Sequence, residues 1–552
     1  MVAKERTPQP NGQSGGNVRR FPGGGQNRQG ANGRGRPSQG TTLVNLARAE
    51  GIGLFHTPEG QAFARVPMGD HRETWALIST GLRLWLERLH YQKTRAAASA
   101  QAVKEATGVL ASMALYDGQE HPVHLRTAAH DGNIYLDLAN DHWEIVEIGA
   151  DIPDGWRVVQ ALDAPVRFRR TKGMQALPTP EPGGSLDELR PFINVKDEDW
   201  ILAKGWLVQA ARPTGPYISL LLNGEQGTAK TSTQEKLRAT FDPHTHPLRA
   251  DPHDERDMAV GAVNNRILGF DNLSRLQDWQ SDAFCRMATG GGYATRTLYA
   301  NDEETLLDMQ RPVMLNGIGE LASRADLMDR SIVVTTPRLT RYRGKADIAR
   351  DFAAAHPAIL GALCTALAGA LRELPNVDTS DLPRMADAAA FVIAAEQAGT
   401  LGDGVAGTFK DAYARNRALV NDSALEANPV AQAVLRFFDT PQRLEPGYGA
   451  SSYGERRVSG GDVQEWTGTI ARLGELLGDV TDLDDTLGKA WPKSGKGWGT
   501  ALRRAAPNLR RKGIELDFDV PRDGATGRAR VGLTRTPRPQ GETPARPETG
   551  TA

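Results

Sequence analysis

Residues 218–232 read Ile-Ser-Leu-Leu-Leu-Asn-Gly-Glu-Gln-Gly-Thr-Ala-Lys-Thr-Ser. An apolar run that ends in a glycine-rich turn and Lys230-Thr231 folds as a strand, a tight loop and the first turn of a helix, and it commits the surrounding chain to an α/β layer. Gly224 and Gly227 let the backbone curl until successive N–H groups point inward, and the helix that follows adds its unpaired N-terminal donors to the same anion site. Gly224, Glu225, Gln226, Gly227, Thr228, Ala229, Lys230, Thr231 and Ser232 therefore form a candidate cradle for a nucleoside triphosphate such as ATP. In such a cradle Lys230 reaches the β and γ phosphates and the Thr231 hydroxyl reaches Mg²⁺. The common pattern carries Gly directly before the lysine, whereas this chain has Ala229, whose methyl group is expected to hold that position to ordinary φ values. The bland alternative is a strand, turn and helix with a chance lysine.

The chain is long enough for about three to five domains. Its 39% apolar residues suffice for real cores. Two cysteines, Cys285 and Cys364, support neither a disulfide framework nor a cysteine zinc site, which fits a reducing cytoplasm. No apolar stretch is read as approaching the roughly 20 residues that span a bilayer, and the N-terminus lacks the apolar core of a signal peptide; no membrane partner is expected. The net charge of −1 hides a local asymmetry: residues 1–40 carry seven Lys or Arg against Glu5 alone, among Gly, Gln, Asn and Pro. That composition predicts a disordered tail, either a basic nucleic-acid arm or a solubilising segment.

The remaining pattern divides the chain. Residues 41–184 read as an α+β domain, with a helix near Arg95 to Leu115 and a hairpin pairing Asn133-Ile-Tyr-Leu-Asp-Leu with Trp143-Glu-Ile-Val-Glu-Ile; the Pro-rich run from Leu177 to Gly184 is a linker signal. Residues 185–345 hold the phosphate loop and further apolar strands spaced for a parallel sheet. Residues 346–427 are helical, including Ala362 to Leu374 and Met385 to Ala395. Residues 428–536 begin with a helix from Val430 to Phe438, reach a basic helical segment from Trp498 to Arg511 that Pro507 is expected to interrupt, and end in two strands, Ile514 to Val520 and Ala529 to Thr534. Helices followed by a hairpin suggest a winged helix. Residues 537–552 read as a disordered tail.

Several segments carry candidate chemistry. Arg266-Ile-Leu-Gly-Phe-Asp-Asn is a strand ending in a carboxylate, and Asp271 is placed to hold the Mg²⁺ shell beside Thr231; the alternative is a solvated acid at a strand end. Many phosphate-loop motors carry Glu next, where this chain has Asn272, so no general base is identified. Arg311-Pro-Val-Met-Leu-Asn-Gly ends in Asn316, an amide that either senses the γ phosphate or plays a local turn role. Arg324 and Arg330 are each an arginine that reaches a neighbouring subunit's ATP or a surface ion pair with Asp326 or Asp329. The glycine turn from Ala288 to Tyr293, followed by Arg296 and Tyr299, offers a cation and an aromatic ring to a nucleic-acid strand, or simply fills a hairpin core. Lys496, Arg503, Arg504, Arg510 and Arg511 lie opposite an apolar helix face, as on a helix resting against duplex phosphates or on an ordinary solvated surface. His244, His246 and His253 sit among prolines and read as a loop rather than a zinc site. Asp137, Asp141 and Glu147 read as acids on the wet face of a hairpin.

The order of these motifs resembles the superfamily III helicase branch of AAA+ ATPases, and more closely the primase-helicase ATPases of phages and integrative elements. The resemblance rests on Gly224 to Thr231, Phe270-Asp271-Asn272, Ala288-Thr-Gly-Gly-Gly-Tyr, Leu315-Asn316-Gly and Asp326-Leu-Met-Asp-Arg330, and extends more loosely to Leu382-Pro-Arg-Met-Ala-Asp387 and Trp491-Pro-Lys. It implies a parallel-sheet AAA+-like ATPase core. Lys230 and Thr231 would be Walker A, Asp271 Walker B, Asn316 sensor 1, Arg330 the finger and Arg296 a DNA contact. It further implies an ATP-dependent DNA helicase for replication of a phage, plasmid or integrative element. Such a protein works as a homo-oligomeric ring, hexameric by analogy, on single-stranded and duplex origin DNA, with any primase on a separate chain. The competing readings are an ATP-binding DNA switch with little hydrolysis, motivated by Asn272, and a small-metabolite kinase, which leaves the basic ends unexplained.

Overall fold

The structure is a computed structural model and describes residues 37–274, 276–296, 304–317, 325–402, 407–426, 428–439, 455–459, 463–480, 491–524 and 526–536. Residues 1–36, residues 537–552, Tyr299 and Arg324 lie outside the described residues, whereas the end of the predicted N-terminal tail is ordered: Ser38 Oγ accepts the Thr41 N–H and caps the helix Gln39–Ala49.

The centre is a four-stranded parallel sheet ordered Leu268–Leu273, Val313–Gly317, Ser219–Asn223, Ser331–Thr335. Its strands read as near-continuous apolar runs because both faces are covered, as parallel strands require. On one face lie the helix Asp197–Ala211, buried from Ile201 to its end, and the long helix Lys345–Glu373. On the other, Phe270 and Phe284 meet edge to face with ring centroids 5.2 Å apart, within a cluster that includes Met258, Leu315 and Leu327. The mixed α/β class with a parallel sheet is therefore as expected.

The helix from Lys345 corrects one expectation: over Lys345–Asn376 it is long and apolar enough to cross a membrane, with a mean hydropathy of 1.6, although 67% of its apolar window is buried against the rest of the chain. A mixed sequence with His356 and Pro357 disguised that length. The Pro-rich run is likewise no free linker. Glu181 donates its backbone N–H to Pro357 O at 3.0 Å, and Gly184 sits against the Ala358 carbonyl so tightly that a Cβ would lie 2.3 Å from it.

Residues 39–170 form two units built on mostly antiparallel sheets, with Gly53–His56 parallel to Gln119–Glu120 in the first. The first sheet, ordered His71–Ala76, Ala62–Met68, Gly53–His56, Gln119–Glu120, packs Ala64 and Val66 onto three helices, Gln39–Ala49, Thr80–Thr94 and Ala100–Tyr116. The second contains the expected hairpin, with Asn133–Asp137 antiparallel to Glu144–Ile148. Asp137 departs from the expectation of a wet acid: it is buried and takes Arg170 Nη2 at 2.8 Å and Nε at 3.1 Å, because the pleat turns it inward. Two buried arginines tie this region to the central sheet. Arg126 donates to the carbonyls of Asp137 and Gln175 and pairs with Asp242, while Arg266 donates to Thr127 Oγ1 at 2.8 Å and to the Ala210 carbonyl at 3.0 Å.

At the C-terminal end, the helices Pro429–Asp439, Ile470–Asp479 and Gly495–Arg511 enclose a core with the sheet Glu455–Ser459, Val463–Thr469, Arg530–Arg535, Ile514–Asp517. The last two strands are the predicted antiparallel pair. Pro507 does not interrupt its helix, which runs through it; Leu502, Ala505, Ala506 and Leu509 are buried on both sides, so packing outweighs the lost backbone bond.

Candidate nucleotide site

The helix Lys230–Ala239 starts directly after the Ser219–Asn223 strand and its loop, so Lys230 stands at the helix N-terminus. There it folds back on the loop, with Nζ donating to Gly224 O at 2.6 Å and Glu225 O at 2.7 Å. Burial pulls its pKa below the ordinary lysine range, and nearby Asp271 opposes that shift. Ala229 caps the helix at φ 58°, ψ 30°, which corrects the expectation of an ordinary φ: the loop imposes a left-handed turn even where no glycine is present.

Two strands away in the sheet order, Asp271 lies in the Leu268–Leu273 strand, where its pairing breaks register after Phe270. Thr231 Oγ1 donates to Asp271 Oδ1 at 3.1 Å, so residues forty positions apart in sequence share one hydrogen bond. The strand bearing Asn316 lies between them. Asn316 Oδ1 accepts the Asn272 backbone N–H at 2.9 Å, and its Nδ2 donates to Gln234 Oε1 at 2.6 Å, so this buried amide links the carboxylate strand to the helix after the loop. Asn272 itself adopts φ 58°, a conformation its short amide side chain tolerates.

Residues that the sequence reading missed support the loop from below. Asn194 donates to Thr228 O at 2.9 Å and Pro337 O at 2.7 Å, and its own N–H reaches Thr233 Oγ1. The hydroxyls of Thr228 and Thr336 bond at 2.8 Å, and Arg338 pairs with Glu225 at 2.8 Å. No motif flags Asn194; its role comes from tertiary placement. Gln226, Gly227 and Ser232 lie in the same loop and first turn.

The other candidates are dispersed. Arg330 is buried and its Nη1 bonds both the backbone carbonyl and the carboxylate of Asp326, and its Nε has no hydrogen-bond partner among the described residues; Arg384, more exposed, reaches the same carboxylate at 3.2 Å. Arg384 falls within the Leu382-Pro-Arg-Met stretch, the signal that could have found it. Asp329 accepts Arg417 at 3.1 Å and Arg511 at 2.6 Å. Arg510 is engaged with Glu515 at 2.7 Å, Arg504 faces Asp278 at 3.7 Å, and the Arg503 guanidinium stacks 4.7 Å from the Phe518 ring centre. Lys496 lies in the first turn of the same helix. Arg296 ends a strand paired with Glu304–Asp308. His244 accepts the His246 N–H on Nδ1 at 3.0 Å, which makes it a turn-closing residue.

The fold and this site thus define a mixed α/β protein whose parallel strands gather a loop lysine, a threonine hydroxyl and a carboxylate at one end. Residues 185–413 match the family model described as actinomycete integrative conjugative element replication protein, and residues 430–545 match the AICE RepA C-terminal domain. Over these two segments the chain is similar to the replication proteins of integrative conjugative elements. No curated protein matches the sequence. Among solved structures the chain is similar to the active helicase Cch of SCCmec type IV (10% identity, TM-score 0.47, 87% of this chain and 92% of that one). It is also similar to the apo C-terminal region of NrS-1 (10% identity, TM-score 0.32, 58% and 68%).

Proposed function

We propose that this replication protein is an ATP-dependent DNA helicase with an AAA+-like core of the superfamily III type and a winged-helix-like C-terminal domain. The observation that carries the reading is the 3.1 Å bond between Thr231 and Asp271 beside the loop that holds Lys230. A hydroxyl and a carboxylate are the hard oxygen donors that Mg²⁺ prefers, so these two residues would hold the ion, which neutralises phosphate charge when bound. Lys230 exchanges its two carbonyl bonds for phosphate oxygens. Asn316 positions the carboxylate strand against the loop helix.

In this reading the protein acts in the cytoplasm as a ring, a hexamer by analogy, on single-stranded DNA and on duplex origin DNA, with a primase supplied by another chain. Arg330 serves a neighbouring subunit only by leaving Asp326, and Arg384 holds that same acid. Lys496, Arg503 and Arg504 lie on the helix offered to duplex DNA, Arg504 in a 3.7 Å pair with Asp278, whereas Arg510 and Arg511 are engaged in closer ion pairs; Arg296 contacts the single strand, with Tyr299 beside it in sequence. ATP hydrolysis that single-stranded DNA stimulates and that Lys230→Ala abolishes is the expected result. The second reading, a switch that binds ATP with little turnover, is favoured by Asn272, which follows Asp271 with an amide whose backbone is fixed by Asn316. Tight Mg-ATP and DNA binding without measurable turnover selects it.

A further inference from the structure

Residues 41–170 lie outside both family models, yet they hold a concentration of unneutralised charge. In the strand Ala62–Met68, Ala64 and Val66 enter the helical core, so the pleat sends Arg65 to the opposite face, where it pairs in register with Thr74 beside Arg72. That face meets the second sheet across a notch lined by Arg65, Arg72, Arg167, Arg170 and Trp143. Asp137 also lines it, but its carboxylate is taken by Arg170. Among the described residues neither Arg65 nor Arg167 has an ion-pair partner, and the Arg167 guanidinium instead lies 4.0 Å over the Phe55 ring. The notch, about 20 Å³, lies beside a hollow of about 310 Å³ that shares Arg72 and Trp143 and is also lined by Asp70, Asp141 and Glu144. Asp70 is bonded to His71, and Glu144 to Asn140.

Partly buried arginines that face one another without a counter-charge raise the energy of the folded chain; burial first, and then the Arg65–Arg72 and Arg65–Arg167 repulsions, lower the pKa of Arg65 and take that of Arg167 down to about 10. Such a cluster is stabilised by an anion whose oxygens can be shared between planar guanidinium forks, and phosphate has that geometry. Trp143 is not free to stack on a base, since His71 covers one side of it at 4.4 Å and Arg170 packs at 3.6 Å. Recognition here is therefore of phosphate rather than of base identity.

We propose that the cleft between the two N-terminal sheets is a second phosphate-binding site, holding a phosphate group of a nucleic-acid strand on Arg65, Arg72 and Arg167, one oxygen entering the notch. A free nucleotide carries the same chemistry, and the test separates the two sources. This inference is independent of the nucleotide reading above, so the full chain is used in a Lys230→Ala background, where the loop contributes nothing. Pyrophosphate and a labelled 12-nucleotide single strand serve as probes against Arg65→Gln/Arg167→Gln and the charge-keeping Arg65→Lys/Arg167→Lys.

In the parent, pyrophosphate raises Tm; in the Gln variant it does not, and the Gln variant without ligand melts higher than the parent because the repulsion is gone. Strand affinity falls about tenfold, and the slope of log K against log salt drops by about 1.4, two contacts at about 0.7 each on single strands. The Lys variant keeps most of the slope. Loss of pyrophosphate stabilisation with strand affinity unchanged supports the phosphate site and assigns it to free nucleotides. Unchanged pyrophosphate stabilisation and unchanged slope in a folded Gln variant overturn the proposal.

Discussion

Ala229 shows how a single residue carries the demands of the loop. At φ 58° its methyl group costs about 1–2 kcal/mol relative to the right-handed region, and glycine would remove that cost while adding about 0.4–1 kcal/mol of unfolded-state entropy. Ala229→Gly is therefore expected to raise stability by up to about 1.6 kcal/mol in urea titration, whereas Ala229→Val, β-branched at a left-handed position, should lose stability and nucleotide binding together. The cysteines give a second test at this scale. Burial first, then Asp326, pushes the Cys285 thiol up to about 12, and Cys364 is fully buried and shifted upward by its own desolvation. At pH 8 neither forms thiolate, so thiol-labelling reagents should leave the native chain unmodified and take both residues after denaturation.

Among elements, the strand Val313–Gly317 joins the two halves of the site, because it lies between the loop strand and the Asp271 strand. Asn316→Ala leaves the buried Gln234 side-chain carbonyl unpaired and removes the partner of the Asn272 N–H, a loss of about 1–3 kcal/mol by chemical denaturation. Pro507 makes the opposite case: Pro507→Ala restores a donor inside Gly495–Arg511 and should stabilise the C-terminal unit by about 2–3 kcal/mol. These two elements also mark what the sequence discloses. The loop, the Asp271 strand and the Asn316 strand were legible because apolar runs ending in one polar residue repeat the same local grammar. The unbroken helix through Pro507, the inward Asp137 and the packed Pro-rich strap were not, because each depends on a partner distant in the chain. Asn194, the brace beneath the loop, was invisible for the same reason.

Across the whole molecule, the basic helix that was read as a free nucleic-acid face is partly spent on the chain itself. Arg511 and Arg417 converge on Asp329, next to Arg330, and Lys512 pairs with Asp422 at 2.5 Å. Exposed pairs of this kind weaken with salt. Asp329→Ala should therefore loosen the docking of the C-terminal unit, seen as a radius of gyration by small-angle scattering that increases at lower salt than in the unaltered protein.

In the proposed helicase, Lys230, Thr231 and Asp271 act around one magnesium-bound triphosphate. DNA-stimulated ATP hydrolysis measured side by side in the unaltered protein and in Lys230→Ala tests it most directly. The expected result is turnover that rises with single-stranded DNA in the first and falls to background in the second; equal turnover in both would contradict it.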